Sequence, residues 1–205
     1  YHQQVGMRCP FDKRKVKYRN YMFLLQDKVG TIDCYIKIVT FGPIEFSLNL
    51  LTPEELYKRI SIESPILWLY YGFMIIMVFY NLFIFISIKD KSYLYYIIFL
   101  TGFIFTQLIF NNFANQYLWS HMQFWNEFAM FMGFSTFGLL MFFRLYVQTK
   151  KYNVKIDQIL LIFSVINLIY SFFVVIASKF FFNFTFYQTT LQLITLIAII
   201  SLLLL

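Results

Sequence analysis

Ile66-Leu67-Trp68-Leu69-Tyr70-Tyr71-Gly72-Phe73-Met74-Ile75-Ile76-Met77-Val78-Phe79-Tyr80-Asn81-Leu82-Phe83-Ile84-Phe85-Ile86-Ser87-Ile88 carries no charge, and Lys89-Asp90-Lys91-Ser92 follows at once. About 20 apolar residues cross the hydrocarbon core of a bilayer as one helix. The stretch therefore reads as a transmembrane span, and so short a polar interruption makes the next apolar run, 93–113, its antiparallel neighbour. Three further runs follow at 122–146, 156–177 and 188–205, separated by Asn115 to His121, by the loop of Lys150, Lys151 and Lys155, and by Ser178 to Tyr187. The chain stops at Leu205 inside an apolar run and starts at Tyr1 without an initiator Met, so both ends read as cuts.

Composition agrees. Of 205 residues, 60% are hydrophobic and 13% charged, against about 25% charged in a soluble domain. The net charge of +7 does not indicate nucleic acid, because the basic residues are scattered over the first 64 residues and the helix-flanking loops, with no stripe or stacking platform.

Residues 1–64 read as a separate extracytoplasmic module. From Arg19, Tyr21, Phe23 and Leu25 alternate with Asn20, Met22 and Leu24; Ile32, Cys34, Ile36 and Ile38 alternate with Asp33, Tyr35, Lys37 and Val39; and Ile44, Phe46, Leu48 and Leu50 alternate with Glu45, Ser47 and Asn49. Period-two alternation predicts strands with one buried face, here three antiparallel strands broken at Asp27 to Gly30 and at Phe41-Gly42-Pro43. Three strands bury too little to stand alone, so they read as the end of a larger β-sandwich. Cys34 falls on the apolar face, which favours free thiols at Cys9 and Cys34 over a disulfide. Thr52-Pro53-Glu54-Glu55 predicts a capped helix start, opening a short linker helix over 53–60. The boundary to the spans falls at Pro65.

Orientation follows from the loop charges. Lys89, Lys91, Arg144, Lys150, Lys151 and Lys155 flank the first and third loops, whereas the second and fourth hold Lys179 alone, which puts the former inside and the amino terminus outside. Trp68, Tyr70, Tyr71, Tyr117, Trp119 and Trp125 then form an outer aromatic belt, with His121 beside it. Asn81, Gln107 and Asn167 are expected to bond between helices. Asn111, Asn112, Gln116 and Glu127 gather at the outer ends of spans two and three, where lining an outward cavity and simple solvation of helix ends are equal readings. Arg144 is expected to snorkel to the inner surface. The spans hold no nucleophile with a base and no metal-ligand cluster, so no catalytic residues, metal or cofactor are expected and the segment does not read as an enzyme. Asn183-Phe184-Thr185 matches a glycosylation acceptor by a pattern too short to weigh.

The order of these features resembles the bacterial seven-transmembrane receptors with diverse intracellular signalling modules. The resemblance rests on Gly72 and Tyr80-Asn81-Leu82 in an aromatic first span, the loop Lys89-Asp90-Lys91-Ser92, and Tyr93-Leu94-Tyr95-Tyr96. It rests also on Tyr35-Ile36-Lys37-Ile38 through Gly42 to Phe46-Ser47-Leu48, similar to the closing strands of that family's outer domain. It implies a membrane all-α bundle, five of seven transmembrane helices, behind the last strands of a jelly-roll-like β-sandwich. It implies a multi-pass protein of the bacterial inner membrane that senses a carbohydrate or other small extracytoplasmic ligand. The signal would pass to a cytoplasmic kinase, cyclase, diguanylate cyclase or phosphatase module. The implied partners are the lipid bilayer, that ligand and that module, with a homodimer left open. A solute transporter is the alternative; it requires helices broken near the midplane, yet no proline follows Pro65 and only Gly102, Gly133 and Gly138 lie deep in later spans.

Overall fold

The computed structural model describes residues 4–6, 9–25, 30, 33–39, 47–126 and 128–180. The expected fifth span at 188–205, Glu127 and Asn183-Phe184-Thr185 lie outside them. Four helices among the described residues are long and apolar enough to cross a membrane: α1, Pro53–Ile88; α2, Lys91–Phe110; α3, Phe128–Tyr146; and α5, Val154–Phe180, with the four-residue α4, Thr149–Tyr152, between the last two.

Helix α1 opens as its sequence dictates. The Thr52 side chain accepts from the Glu55 backbone N–H at 3.3 Å, and the Glu55 carboxylate accepts from the Thr52 N–H at 2.9 Å. Two otherwise orphaned donors are thereby satisfied. The helix does not stop near residue 60. It continues through Pro65 to Ile88 as one 36-residue element, about 54 Å at 1.5 Å per residue. A single proline removes one intrahelical bond, and the apolar run on its carboxyl side continues the helix. Because the hydrocarbon core is only about 30 Å thick, the charged first turns project beyond it as part of the same rod.

The α1–α2 connection is tighter than the four residues expected. Lys89 takes a left-handed conformation (φ 59°) and its N–H bonds to the Phe85 carbonyl at 2.7 Å. Asp90 then caps α2 by accepting from the Ser92 N–H at 2.9 Å and the Ser92 hydroxyl at 2.8 Å. Two residues make the reversal.

Helix α2 packs along α3, and α3 along α5. Glycines set how closely. A Cβ on Gly102 would lie 2.6 Å from the Ser135 backbone nitrogen, and one on Gly138 would lie 2.5 Å from the Phe99 nitrogen. A Cβ on Gly133 would collide with the Ser171 side chain. Lipid supplies no hydrophobic drive between spans, so such backbone approach is what holds them.

Two expectations are corrected. Span three begins at Phe128 and not at residue 122, and α2 ends at Phe110. Between them Asn112 turns left-handed (φ 57°), a π-helical turn covers Ala114–Leu118 and a 3₁₀ turn covers Gln123–Asn126. Asn tolerates that left-handed geometry better than most residues, which ends the helix. Of the three expected strands, Ile32 and Ile44 to Phe46 lie outside the described residues; the described residues hold no strand, and Ile36, expected on a buried face, is 48% exposed. Alternation marks a chain that could pair, but a ladder needs a partner strand and a covering layer. Neither is formed over these residues. Cys9 and Cys34 are both free, as expected, with Cys34 exposed instead of buried.

Candidate functional site

Residues 9–25 lie across the end of the bundle where α2 gives way to α3, and their side chains clamp onto it. Phe11 is buried and its N–H donates to the Ser120 carbonyl at 3.3 Å. Beside it Asp12 and His121 pair at 3.0 Å in the open. Tyr21 donates its hydroxyl to Asn112 Oδ1 at 3.3 Å. Arg19 pairs with Glu63 at 2.6 Å, the same carboxylate that Arg59 engages at 2.7 Å one turn earlier on α1. The clamp thus ties the segment both to the projecting part of α1 and to the α2–α3 loop.

Arg14 organises the segment itself. It is only 4% exposed, its guanidinium stands 4.9 Å from both the Phe11 and Tyr21 rings, and it donates to the Tyr18 and Arg19 carbonyls at 3.2 and 3.3 Å. Ring faces attract a cation, but burial lowers the Arg14 pKa. Burial also raises that of Tyr21, keeping its phenol protonated as a donor. Beneath the clamp, Phe113 packs against Trp68, Tyr71 and Tyr117 at 5.1 to 6.0 Å, and Arg19 sits 5.6 Å from the Phe113 ring.

Of the residues expected to line an outward cavity, Asn111 and Asn112 are brought to this site but are already engaged. Asn111 donates to the Tyr71 hydroxyl at 2.9 Å and Asn112 accepts from Tyr21. Gln116 is half-buried in the π-helical turn. Asn111 and Asn112 therefore take part in contacts within the protein. Arg14, Arg19, Tyr21 and Glu63 were not singled out from sequence, because pairs 44 residues apart (Arg19 with Glu63) leave no periodic trace.

Among the described residues the expected inter-helix bonds are not seen. Asn81 donates at 2.8 Å to Met77 of its own helix, Gln107 is half-buried with no side-chain bond among the described residues, and Asn167 is fully buried without a partner. Asn115, in the π-helical turn, is also buried and unpartnered. At the opposite end Lys89, Lys91, Lys150, Lys151 and Lys155 are exposed. Arg144 does not snorkel. It grips Asp157 of α5 with two bonds of 2.7 Å, and Thr149 donates to the same carboxylate at 2.7 Å. A carboxylate one helix away offers a bidentate fork a better site than the membrane surface does.

The family described as "7TM diverse intracellular signalling" matches residues 63–205, and that described as "7TMR-DISM extracellular 2" matches residues 1–52. No curated protein and no solved structure matches the chain.

Proposed function

Because the chain belongs to the seven-transmembrane receptors with diverse intracellular signalling, we propose that it senses a small extracytoplasmic ligand, such as a carbohydrate, and relays that event to a cytoplasmic output module. The observation that carries this reading is the clamp. Arg19 holds Glu63 on the projecting turns of α1 while Tyr21 holds Asn112 beyond α2, and α1 runs unbroken from there to the two-residue turn at the opposite end. A ligand that binds one arrangement of the outer domain better than another biases which clamp contacts form. It shifts the bundle only by its difference in affinity for the two states. Packed helices pass such a bias on as small rigid displacements.

On this reading the amino terminus is outside and the lysine-rich turns are in the cytoplasm of a bacterial inner membrane. The segment transmits and performs no chemistry; the jelly-roll-like β-sandwich, the last two spans and the output enzyme belong to the complete receptor. A solute transporter would need helices broken at the midplane, whereas α1, α2, α3 and α5 each run through without a break. The reading frame of the complete gene tests the proposal. A kinase, cyclase or phosphatase module after two further spans, or a partner gene for one beside it, is expected. A frame that ends behind the bundle with neither overturns the receptor reading.

A further inference from the structure

At the end of the bundle opposite the clamp, α1, α2 and α3 border a cleft of about 680 Å³, a size that holds small molecules elsewhere. Its wall carries Tyr80 and Asn81 from α1, Tyr93 and Tyr96 from α2, Tyr146 from α3 and Asp90 from the turn. Asn81 is 9% exposed, and its one side-chain bond runs from Nδ2 to Met77 of its own helix. Among the described residues no donor meets its Oδ1, and the residue lines the cleft. Asp90 adds a second acceptor. The Ser92 N–H and hydroxyl on its Oδ1 hold its carboxyl below the usual carboxylate range, so it is ionised.

Beside the Ser92 and Gln148 side chains, this wall offers an amide oxygen, a carboxylate and four tyrosine rings, and among the described residues no lysine or arginine stands in it. The neighbouring cavity of about 380 Å³ is lined by Arg144, Lys150 and Lys151 together with Asp157, so it holds charges of both signs. Aromatic faces with a carboxylate attract cations, ammonium groups above all. Met77, Phe142 and Leu145 complete the wall with apolar surface, which suits a cation carried on an apolar body.

We propose that this cleft binds an ammonium group, carried either by a phosphatidylethanolamine headgroup or by a free amine. The site explains why a polar Asn81 stands between Tyr80 and Leu82 in a lipid-crossing helix without reaching another helix. It goes beyond the receptor reading, and its test needs neither the extracytoplasmic ligand nor an output activity.

The intact chain is purified from membranes containing equal phosphatidylethanolamine and phosphatidylglycerol, and its retained lipids are weighed by native mass spectrometry. In parallel, methylammonium, which keeps N–H donors for the Asn81 oxygen, is titrated against tyrosine fluorescence in phosphatidylglycerol nanodiscs. Wild type should prefer phosphatidylethanolamine by about fivefold, and Asn81→Leu and Asp90→Asn should each bring that ratio below about twofold. Asp90→Asn keeps an acceptor for Ser92, so it separates loss of charge from loss of the turn, and Asn167→Leu on α5 should leave the preference intact. Saturable methylammonium binding that Asn81→Leu abolishes, without a lipid preference, supports the site with a free amine as its occupant. Equal retention of the two lipids together with no saturable methylammonium binding overturns the proposal, and so does a preference that survives both Asn81→Leu and Asp90→Asn.

Discussion

Single residues decide how closely the spans approach, and glycine is the clearest case. At Gly138 a side chain would meet the backbone of Phe99 at 2.5 Å, whereas at Gly72 nothing lies within 4 Å. Gly138→Ala should therefore destabilise the bundle by about 1 to 3 kcal/mol through forced separation of α2 and α3. Gly72→Ala should stay within about 0.5 kcal/mol. Unfolding in mixed micelles measures both, and equal effects would mean that α2 and α3 do not touch through Gly138. From sequence these glycines counted only as too few to break a helix; their role needed the facing residue, which periodicity does not name. Arg144 makes the same point. Its place near a span end suggested an anchor, yet Asp157 lies 13 residues away on the next helix. Removing one partner of a buried pair leaves the other charge stranded, so Arg144→Ala should cost about 3 kcal/mol. Arg144→Met with Asp157→Met should recover most of that loss. A cost near zero for the single variant would restore the snorkelling picture.

Among the elements, α1 combines what sequence states plainly with what it hides. The cap was legible, since Thr52, Pro53 and Glu55 each act locally and the bonds form as their spacing requires. Continuity through Pro65 was hidden, because a proline raises the odds of a break without forcing one and the charged turns before it look like a linker. The strands expected at 19–25, 32–39 and 44–50 are not seen among the described residues for the converse reason: alternation is local, but a sheet exists only with its partners. One consequence is measurable at the clamp. If Arg19 and Glu63 hold residues 9–25 on α1, Glu63→Gln should weaken that hold and expose Lys13, Lys15 and Lys17 to trypsin. Cleavage there should speed up several-fold, since opening tracks the local free energy of a few contacts. Thr52→Ala, which removes about 1 kcal/mol from the helix start, should speed hydrogen exchange at Glu55 and Leu56 while leaving trypsin cleavage at those lysines unchanged. Unaltered cleavage in Glu63→Gln would show that the segment is held by other means.

For the whole molecule, the run of spans was the most legible feature, because lipid imposes one length and one composition on every crossing. The sidedness of the bundle was written in the same loops. Lys89, Lys91, Lys150, Lys151 and Lys155 all come to the end where α1 turns into α2 and α3 into α5, while the amino-terminal clamp occupies the other. The two ends thus differ in charge as well as in partners, and retention of basic loops on the cytoplasmic side would fix the clamp outside. Single cysteines in place of Lys151, in α4, and Lys179, in the last turn of α5, report this directly in intact cells, once Cys9 and Cys34 are replaced by serine. A membrane-impermeant thiol reagent should label Lys179→Cys and leave Lys151→Cys unlabelled until the cells are opened. Labelling at 151 with protection at 179 would invert the bundle. It would bring the lysine-rich turns and the aromatic cleft to the outer face, move the clamp into the cytoplasm and leave an outer sensing domain with nothing to hold.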